Sequence, residues 1–202
     1  MEVYSGNDLY LPLPDQSEIL RYLRADGAHR ETLALIEECV KESAPLLAPA
    51  VCACELDVEV LDGRVRMGTV TVKSRDLARY FDGAGGVLLF CATLGIGFER
   101  LLQKHTRFSP AKAVCLDALG SERIEALCDV FCHAMKEKYG ERGVLLKPRF
   151  SPGYGDAPLS LQREIFEILQ CHRHVGVSLT DGLLMSPSKS VTAFVALKKK
   201  TE

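Results

Sequence analysis

Apolar residues recur at helical spacing in several parts of the chain. Leu33, Ile36 and Val40 lie on one face at this spacing, which predicts a helix over about 29–44. The same period continues much further over about 110–139, where it predicts the longest helix of the chain. The predicted buried stripe of that helix consists of Leu116, Gly120, Ile124, Leu127, Phe131 and Met135.

Elsewhere the period changes to that of β-strands. Apolar and acidic residues alternate over 55–60, which predicts a half-buried strand, and Asp62-Gly63 then supplies a two-residue hairpin turn. The return strand changes phase at Gly68, where we expect a β-bulge. The continuously apolar run 87–92 predicts a strand covered on both faces, and a last strand is predicted over about 190–197.

Helices and hairpins follow one another in irregular order, which favours an α+β fold. We expect a mixed, mainly antiparallel twisted sheet with helices packed around it, in a single domain over 1–202. The segment 1–28 is predicted to be irregular apart from a short helix opened by Asp15. The basic end, 198–202, is predicted to be a solvated tail. Further helices are predicted over about 97–105 and 160–170.

Composition excludes several classes of function. The formal net charge is −2, so no broad nucleic-acid surface is expected. No apolar run reaches the length of a membrane span, and the first residues lack the pattern of a signal peptide. The cytoplasm is therefore the expected location. Most or all of the eight cysteines are expected to be free thiols, because several lie inside apolar runs.

Common catalytic motifs are absent from the sequence. Gly95-Ile96-Gly97 follows an apolar run as in a dinucleotide-binding loop, but Arg100 stands where the third glycine belongs. Neither a phosphate-binding GxxxxGK[ST] loop nor a GxSxG nucleophile elbow occurs. A Rossmann-type methyltransferase and a serine hydrolase are therefore disfavoured.

Cysteine and histidine side chains raise the possibility of a metal site. Cys128 and Cys132 lie four residues apart on one helical face, with His133 next to them. Thiolate and imidazole are good ligands for zinc. No CxxC pair accompanies them, and both cysteines flank the apolar stripe, so packing is favoured over metal binding.

The most unusual segment is the loop 148–156, with the sequence PRFSPGYGD. Its prolines restrict the backbone and its glycines permit close approach or a positive φ angle. Arg149 offers a planar guanidinium suited to a carboxylate, and Tyr154 offers a flat face suited to a purine or a sulfonium cation. Composition alone favours a rigid surface turn in which Arg149 forms a local ion pair.

The order of motifs in the C-terminal half is more specific. The pattern RxxxGY, here Arg149 to Tyr154, precedes a helix, then Leu179-Thr180, Met185 and Ser190-Val191. This order resembles the activation domain of vitamin B12-dependent methionine synthase. The resemblance is sharp over about 115–197 and weaker over the preceding part of the chain.

The resemblance implies a site for S-adenosylmethionine. Arg149 matches the arginine that engages the amino-acid end of this ligand, and Phe150 stands where the family offers main-chain contacts. Gly153 and Tyr154 match the close-approach and ring positions of the motif. Glu125 matches a glutamate in a helical Ala-Leu-x-x-x-x-x-Glu stretch that touches the ligand.

The family's role implies partners as well. In the family, an electron donor such as flavodoxin reduces an oxidised cobalamin, and S-adenosylmethionine then methylates the reduced cobalt. This chain has no cobalamin, homocysteine or folate module. We therefore expect an accessory protein that is not catalytic alone and acts in trans on a cobalamin-binding methionine synthase or related corrinoid protein.

Three alternatives stay open from the sequence. One is a module that docks on a corrinoid protein without binding S-adenosylmethionine, because fused family members carry a further aromatic contact after the last strand that is missing here. Another is a metal-dependent enzyme that uses Cys128, Cys132 and nearby histidine. The last is a structural or interaction module, which predicts no pocket beside Arg149.

Overall fold

A seven-stranded antiparallel sheet forms the centre of the molecule. The computed structural model describes residues 1–6, 8–25 and 29–200. Within these residues the strands are β1 (Glu2–Ser5), β2 (Ala50–Leu61), β3 (Arg64–Met67), β4 (Val70–Lys73), β5 (Gly86–Thr93), β6 (Val144–Leu146), β7 (Ser178–Leu179), β8 (Met185–Ser186) and β9 (Ser190–Lys199). The sheet order is β4-β3-β2-β5-β9-β6, with β1 also paired to β2, while β7 and β8 form a separate ribbon.

Helices cover both faces of the sheet. They are α1 (Gln16–Leu23), α2 (Arg30–Ser43), α3 (Arg75–Tyr80), α4 (Ile96–Phe108), α5 (Pro110–Gly140), α6 (Leu161–Leu169) and α7 (Cys171–Val175), with a 3-10 turn at Ala44–Leu46. One apolar core lies between the sheet and α1, α2, α4 and α5. A second core lies between the opposite face and α3, α6 and α7. The predicted α+β class with a mainly antiparallel sheet is confirmed.

Both faces of the central strand β5 are apolar. Every residue from Gly86 to Thr93 is buried, as the continuous apolar run predicts. Leu88 and Phe90 contribute to the first core, and Leu89 and Cys91 contribute to the second. Alternate side chains of a strand point to opposite faces of the sheet. A continuously apolar sequence is therefore typical of a strand that is covered on both faces.

The long helix α5 packs its predicted stripe against the sheet. All six residues of that stripe are buried, and the prediction for this helix is confirmed. At Gly120 an added Cβ would lie 2.6 Å from the ring of Phe98, so a glycine is needed where α4 approaches α5. None of the helices in the described part of the chain is both long and apolar enough to cross a bilayer.

The hairpin that follows β2 is confirmed, but the expected bulge is wrong. Asp62 and Gly63 both have positive φ angles, 51° and 70°, as a two-residue type I′ turn requires. At Gly68 the chain reverses instead of bulging. Met67 pairs with Val70, so Gly68, with φ 55°, opens a second tight turn between β3 and β4. The change of phase in the sequence marks this reversal.

Both ends of the chain are more ordered than the sequence predicts. Glu2–Ser5 is not irregular, because it pairs with the first residues of β2. Residues 26–28 of the predicted N-terminal segment lie outside the described residues. At the other end Lys198 and Lys199 belong to β9 and pair with β6, so the predicted tail is wrong for these residues. Main-chain pairing, which the side-chain pattern does not record, accounts for both differences.

Candidate functional site

The loop after β6 crosses the edge of the sheet and carries the RxxxGY motif. Phe150 and Phe194 form an isolated antiparallel bridge, in which each N–H donates to the other's carbonyl, at 2.9 and 2.7 Å. Two residues further on, Pro152 has no N–H to donate, so the pairing with β9 does not continue opposite Thr192. The chain leaves the sheet here and opens a cleft beside β9.

Tyr80 of α3 fixes the start of this loop. Its hydroxyl donates to the carbonyl of Pro148 at 2.8 Å and accepts from the N–H of Ala196 at 2.9 Å. Its ring packs against Phe150 with centroids 5.3 Å apart. Burial raises the pKa of Tyr80 to about 12, so the hydroxyl stays a donor at physiological pH. The backbone on either side of Arg149 is therefore held in place.

The far end of the loop is hydrogen-bonded to the start of α3. The carboxylate of Asp156 accepts from the N–H groups of Arg75 and Asp76, at 2.8 and 3.1 Å, and from the hydroxyl of Ser74. Asp76 in return accepts from the N–H of Asp156 at 3.1 Å. Gly155, the residue before Asp156, has a φ of 56°, and a Cβ at this position would collide with the Asp76 carboxylate. Both ends of the loop are thus attached to α3.

We expect Asp156→Asn to remove part of the pH dependence of stability. Hydrogen bonds from Ser74 and from two main-chain N–H groups lower the pKa of Asp156 to about 2. Because the unfolded value is about 4, the charged form stabilises the fold above that pH, and this contribution is lost as the pH falls from about 4 to about 2. The difference in Tm between wild type and variant should shrink over this range.

Thermal unfolding followed by circular dichroism at several pH values measures this difference. Asp181→Asn is the control, because it removes the same charge from an exposed turn. A wild-type-to-Asp156→Asn difference that stays constant from pH 7 to pH 2 would contradict the role of this carboxylate.

A cleft of about 450 Å³ lies between the motif loop, α5, α6 and the edge of β9. Its volume is in the range typical of small-molecule sites. Among its lining residues are Glu125, Arg149, Phe150, Tyr154, Gln162 and Thr192. Four of the five predicted ligand contacts therefore share one cavity.

Arg149 reaches from the loop to α5. Its Nη2 donates to Glu125 Oε2 at 2.5 Å and to Asp129 Oδ1 at 3.1 Å. Nε and Nη1 make no such contact with the described residues, so part of the planar group is left for another carboxylate. Burial opposes the guanidinium charge, but nearby negative groups including both carboxylates outweigh it and raise the pKa of Arg149. The side chain stays charged.

The aromatic wall of the cleft is formed by Phe150 and Tyr154. Their ring centroids are 6.4 Å apart in an edge-on arrangement, and Tyr154 is 68% exposed. Gly153 does not line the cleft, but its φ of 90° sets the turn that presents Tyr154. A ligand in the cleft would cover an exposed aromatic face. That these residues contact a ligand remains a prediction.

Sequence reasoning missed Gln162 and Thr192. Both are buried, with 6% and 2% of their surface exposed, and both line the cleft. Thr192 interrupts the apolar run of β9, which is a detectable signal. Gln162 is followed by Arg163 and Glu164, so the local pattern does not distinguish it from an exposed helix residue.

The cysteines proposed as metal ligands do not converge with other donors. Cys128 is completely buried in the core, while the side chain of His133 is 74% exposed. Over residues 1–6, 8–25 and 29–200, no group of three or more histidine, cysteine, aspartate or glutamate side chains is arranged to hold a metal ion. Burial raises the pKa of Cys132 to about 11, which disfavours the thiolate that a metal requires.

Comparison with known proteins agrees with this fold. A crystal structure described as the MetH reactivation domain bound to AdoHcy superposes with a TM-score of 0.68, over all of this chain and 80% of that chain. The sequences are 14% identical, so this likeness shows the fold. No curated protein matches the chain. The family model for the activation domain of vitamin B12 dependent methionine synthase matches residues 82–202, more than half of the sequence, and the chain belongs to this family.

Proposed function

We propose that this protein binds S-adenosylmethionine in the cleft and presents its methyl group to the cobalamin of a methionine synthase or related corrinoid protein. The observation that carries the proposal is that Arg149 and Tyr154 line one cavity with Glu125. The solved relative was crystallised with AdoHcy, the demethylated form of this ligand.

The charges in the cleft suit the amino-acid end of the ligand. A ligand carboxylate would accept from Nε and Nη1 of Arg149, and such charge-assisted bonds are the stronger class of hydrogen bond. Glu125 is half-exposed on α5, and its carboxylate would attract the α-ammonium group. The carboxylate of the ligand would therefore lie beside a positive group, Arg149, and its ammonium group beside a negative one, Glu125.

The sulfonium group suits the aromatic wall. A cation placed over the face of an aromatic ring is attracted by the electrons of that ring, and Tyr154 offers an exposed face. The methyl group on the sulfur is electrophilic, and reduced cobalt in the partner would take it as a methyl cation, leaving AdoHcy. The chain's own residues then need only bind and orient the donor.

The rim of the cleft offers a surface for a partner. Tyr154 is an exposed lining residue, and the exposed Leu184 directly precedes the lining residue Met185. An open cleft with an apolar rim allows a cobalamin carried by another protein to approach the methyl group. Acting in trans is part of the proposal.

Titration calorimetry of S-adenosylmethionine tests the binding site. Wild type should bind, and Arg149→Ala should weaken binding by roughly 10- to 100-fold, because a hydrogen bond to a charged group contributes about 1.5–3 kcal/mol. Arg149→Lys should also bind weakly, because lysine keeps the charge but not the planar group. Arg107→Ala removes an exposed arginine on α4 and should bind as wild type does. Absence of binding by wild type at millimolar ligand would refute the proposal.

A reconstituted assay tests the role in trans. A methionine synthase lacking its own activation domain is oxidised to the inactive cobalamin form and mixed with reduced flavodoxin and S-adenosylmethionine. Added wild-type protein should restore turnover, and Arg149→Ala should restore it less, in proportion to its weaker binding. Equal recovery with and without the protein would exclude this client.

A further inference from the structure

The edge of the sheet that leads into the motif loop contains a β-bulge. Leu146 pairs with Leu197 on β9, whereas the next bridged pair along the same edge is Phe150 with Phe194. Residues 147–149 of the loop therefore lie opposite only two residues of β9. One extra residue on one strand of an antiparallel pair is the defining feature of a bulge, and it shifts the register by one position.

The bulge decides on which face of the sheet Arg149 lies. In an unbroken ladder Leu146 and Phe150 would point to the same face, because alternate side chains share a face. Instead Leu146 packs on the core beneath α5, and Phe150 packs on the core beneath α3. Arg149 consequently lies on the side of α5, where its Nη2 reaches Glu125. In the regular register the guanidinium would point towards α3 instead.

The hydroxyl of Tyr80 occupies the bulge. In a regular ladder the N–H of Ala196, a fully buried residue, would donate to a carbonyl of the neighbouring strand. Here it donates to the Tyr80 hydroxyl at 2.9 Å, which in turn donates to the carbonyl of Pro148 at 2.8 Å. The carbonyl of Ala196 keeps an ordinary ladder bond from the N–H of Lys147, at 3.1 Å. The hydroxyl therefore replaces one hydrogen bond of the ladder and accommodates the extra residue.

This hydroxyl stabilises the bulged register against the regular one. Without it, the N–H of Ala196 and the carbonyl of Pro148 would lose their shared partner. An unmade hydrogen bond at a buried main-chain group is unfavourable, and a slip of one residue into the regular ladder would remove it. The same slip would carry Arg149 to the side of α3, away from Glu125.

We infer that Tyr80 is a positioning residue for the amino-acid end of the ligand, because its hydroxyl holds the bulge that turns Arg149 into the cleft. The inference rests on the proposed function. Tyr80 lies outside the lining of the cleft, so it acts through Arg149 and does not touch the nucleoside. Its contribution to affinity should therefore depend on the carboxylate of the ligand.

The first test compares two ligands by titration calorimetry. AdoHcy has the amino-acid end, whereas 5′-methylthioadenosine has the same nucleoside and thioether without it. Tyr80→Phe, which keeps the ring on Phe150, should weaken AdoHcy binding by about 3- to 10-fold, the range for one neutral hydrogen bond. Binding of 5′-methylthioadenosine should stay at the wild-type level. Tyr10→Phe removes the hydroxyl of an exposed tyrosine and should leave both affinities unchanged. Equal losses for the two ligands would overturn the inference, because they would mean that Tyr80 supports the whole loop.

A double-mutant cycle asks whether Tyr80 acts through Arg149. In the Arg149→Ala background the guanidinium is gone, so adding Tyr80→Phe should change AdoHcy affinity by less than about 2-fold. The same 3- to 10-fold loss in both backgrounds would show that the hydroxyl acts independently of the arginine, which is incompatible with a positioning role.

Amide hydrogen exchange of the ligand-free protein, followed by NMR, tests the bulge itself. The N–H of Ala196 should exchange faster in Tyr80→Phe than in wild type, because it loses the acceptor at 2.9 Å. The N–H of Phe194, which donates to Phe150, serves as the internal reference within the same strand. Faster exchange at Ala196 together with unchanged AdoHcy affinity would reduce the hydroxyl to a structural role and refute the inference.

The outcomes also distinguish this inference from the proposed function. Failure of wild type to bind AdoHcy would remove both. If wild type binds AdoHcy and Arg149→Ala weakens this binding, but Tyr80→Phe binds as wild type does, only the role of Tyr80 is overturned.

Discussion

Arg123→Ala is expected to lower the free energy of unfolding by about 3–5 kcal/mol, the cost of removing one partner of a buried ion pair. Arg123 and Glu122 are 3% and 6% exposed and form a salt bridge within α5. The guanidinium also donates to the carbonyls of Pro12 and Leu13, which precede α1. The alanine variant leaves the Glu122 carboxylate buried without its counter-charge and frees the segment before α1.

Urea unfolding at neutral pH measures this loss. The double variant Glu122→Gln/Arg123→Met should be considerably more stable than Arg123→Ala, because it leaves no unpaired buried charge. Limited proteolysis should cleave Arg123→Ala near Pro12 before wild type is cleaved there. A loss below about 1 kcal/mol, the value typical of an exposed pair, would show that this pair does not hold the N-terminal segment.

The sequence correctly predicts long elements in which apolar residues follow a single helical or strand pattern over many positions. The stripe of α5 and the apolar run of β5 are of this kind, because each element buries a continuous face against a core. The capping residue Asp15 is similarly local, since its carboxylate accepts from Ser17 and Glu18 nearby. Local chemistry and period therefore specify these elements without knowledge of their neighbours.

Short elements that depend on distant partners escape this reasoning. β1 pairs with β2 almost fifty positions later, and the three residues of β6 pair with the end of β9. α3 is six residues long, too short for a helical period to be visible. The sequence records side-chain preferences, whereas these elements are stabilised by main-chain contacts with remote parts of the chain.

The candidate site shows the same division. Arg149, Phe150 and Tyr154 lie within one motif, so their proximity follows from the loop alone. Gln162 and Thr192 come from α6 and β9, and only the packing of those elements brings them to the cleft. Local sequence patterns therefore predict the residues of the loop, but they do not predict the cleft residues that α6 and β9 contribute.

Phe131→Ala is expected to cost about 3–5 kcal/mol of unfolding free energy, the range for truncating a buried phenylalanine. Phe131 is fully buried in the C-terminal half of α5. Its ring lies 4.9 Å from that of Phe90 on β5 and 5.4 Å from that of Tyr4 on β1. The substitution therefore removes contacts of the long helix with the central strand and with the N-terminal strand together.

Thermal unfolding should show a decrease in Tm of roughly 6–20 °C for a chain of this length. Phe131→Leu is the matched control and should lose much less, because leucine fills most of the space with apolar atoms. Since Glu125 lies on the same helix, near one end of the cleft, loosening of α5 should also reduce AdoHcy affinity in Phe131→Ala but not in Phe131→Leu. Unchanged affinity in a destabilised Phe131→Ala would show that the α5 wall of the cleft is held independently of the core beneath it.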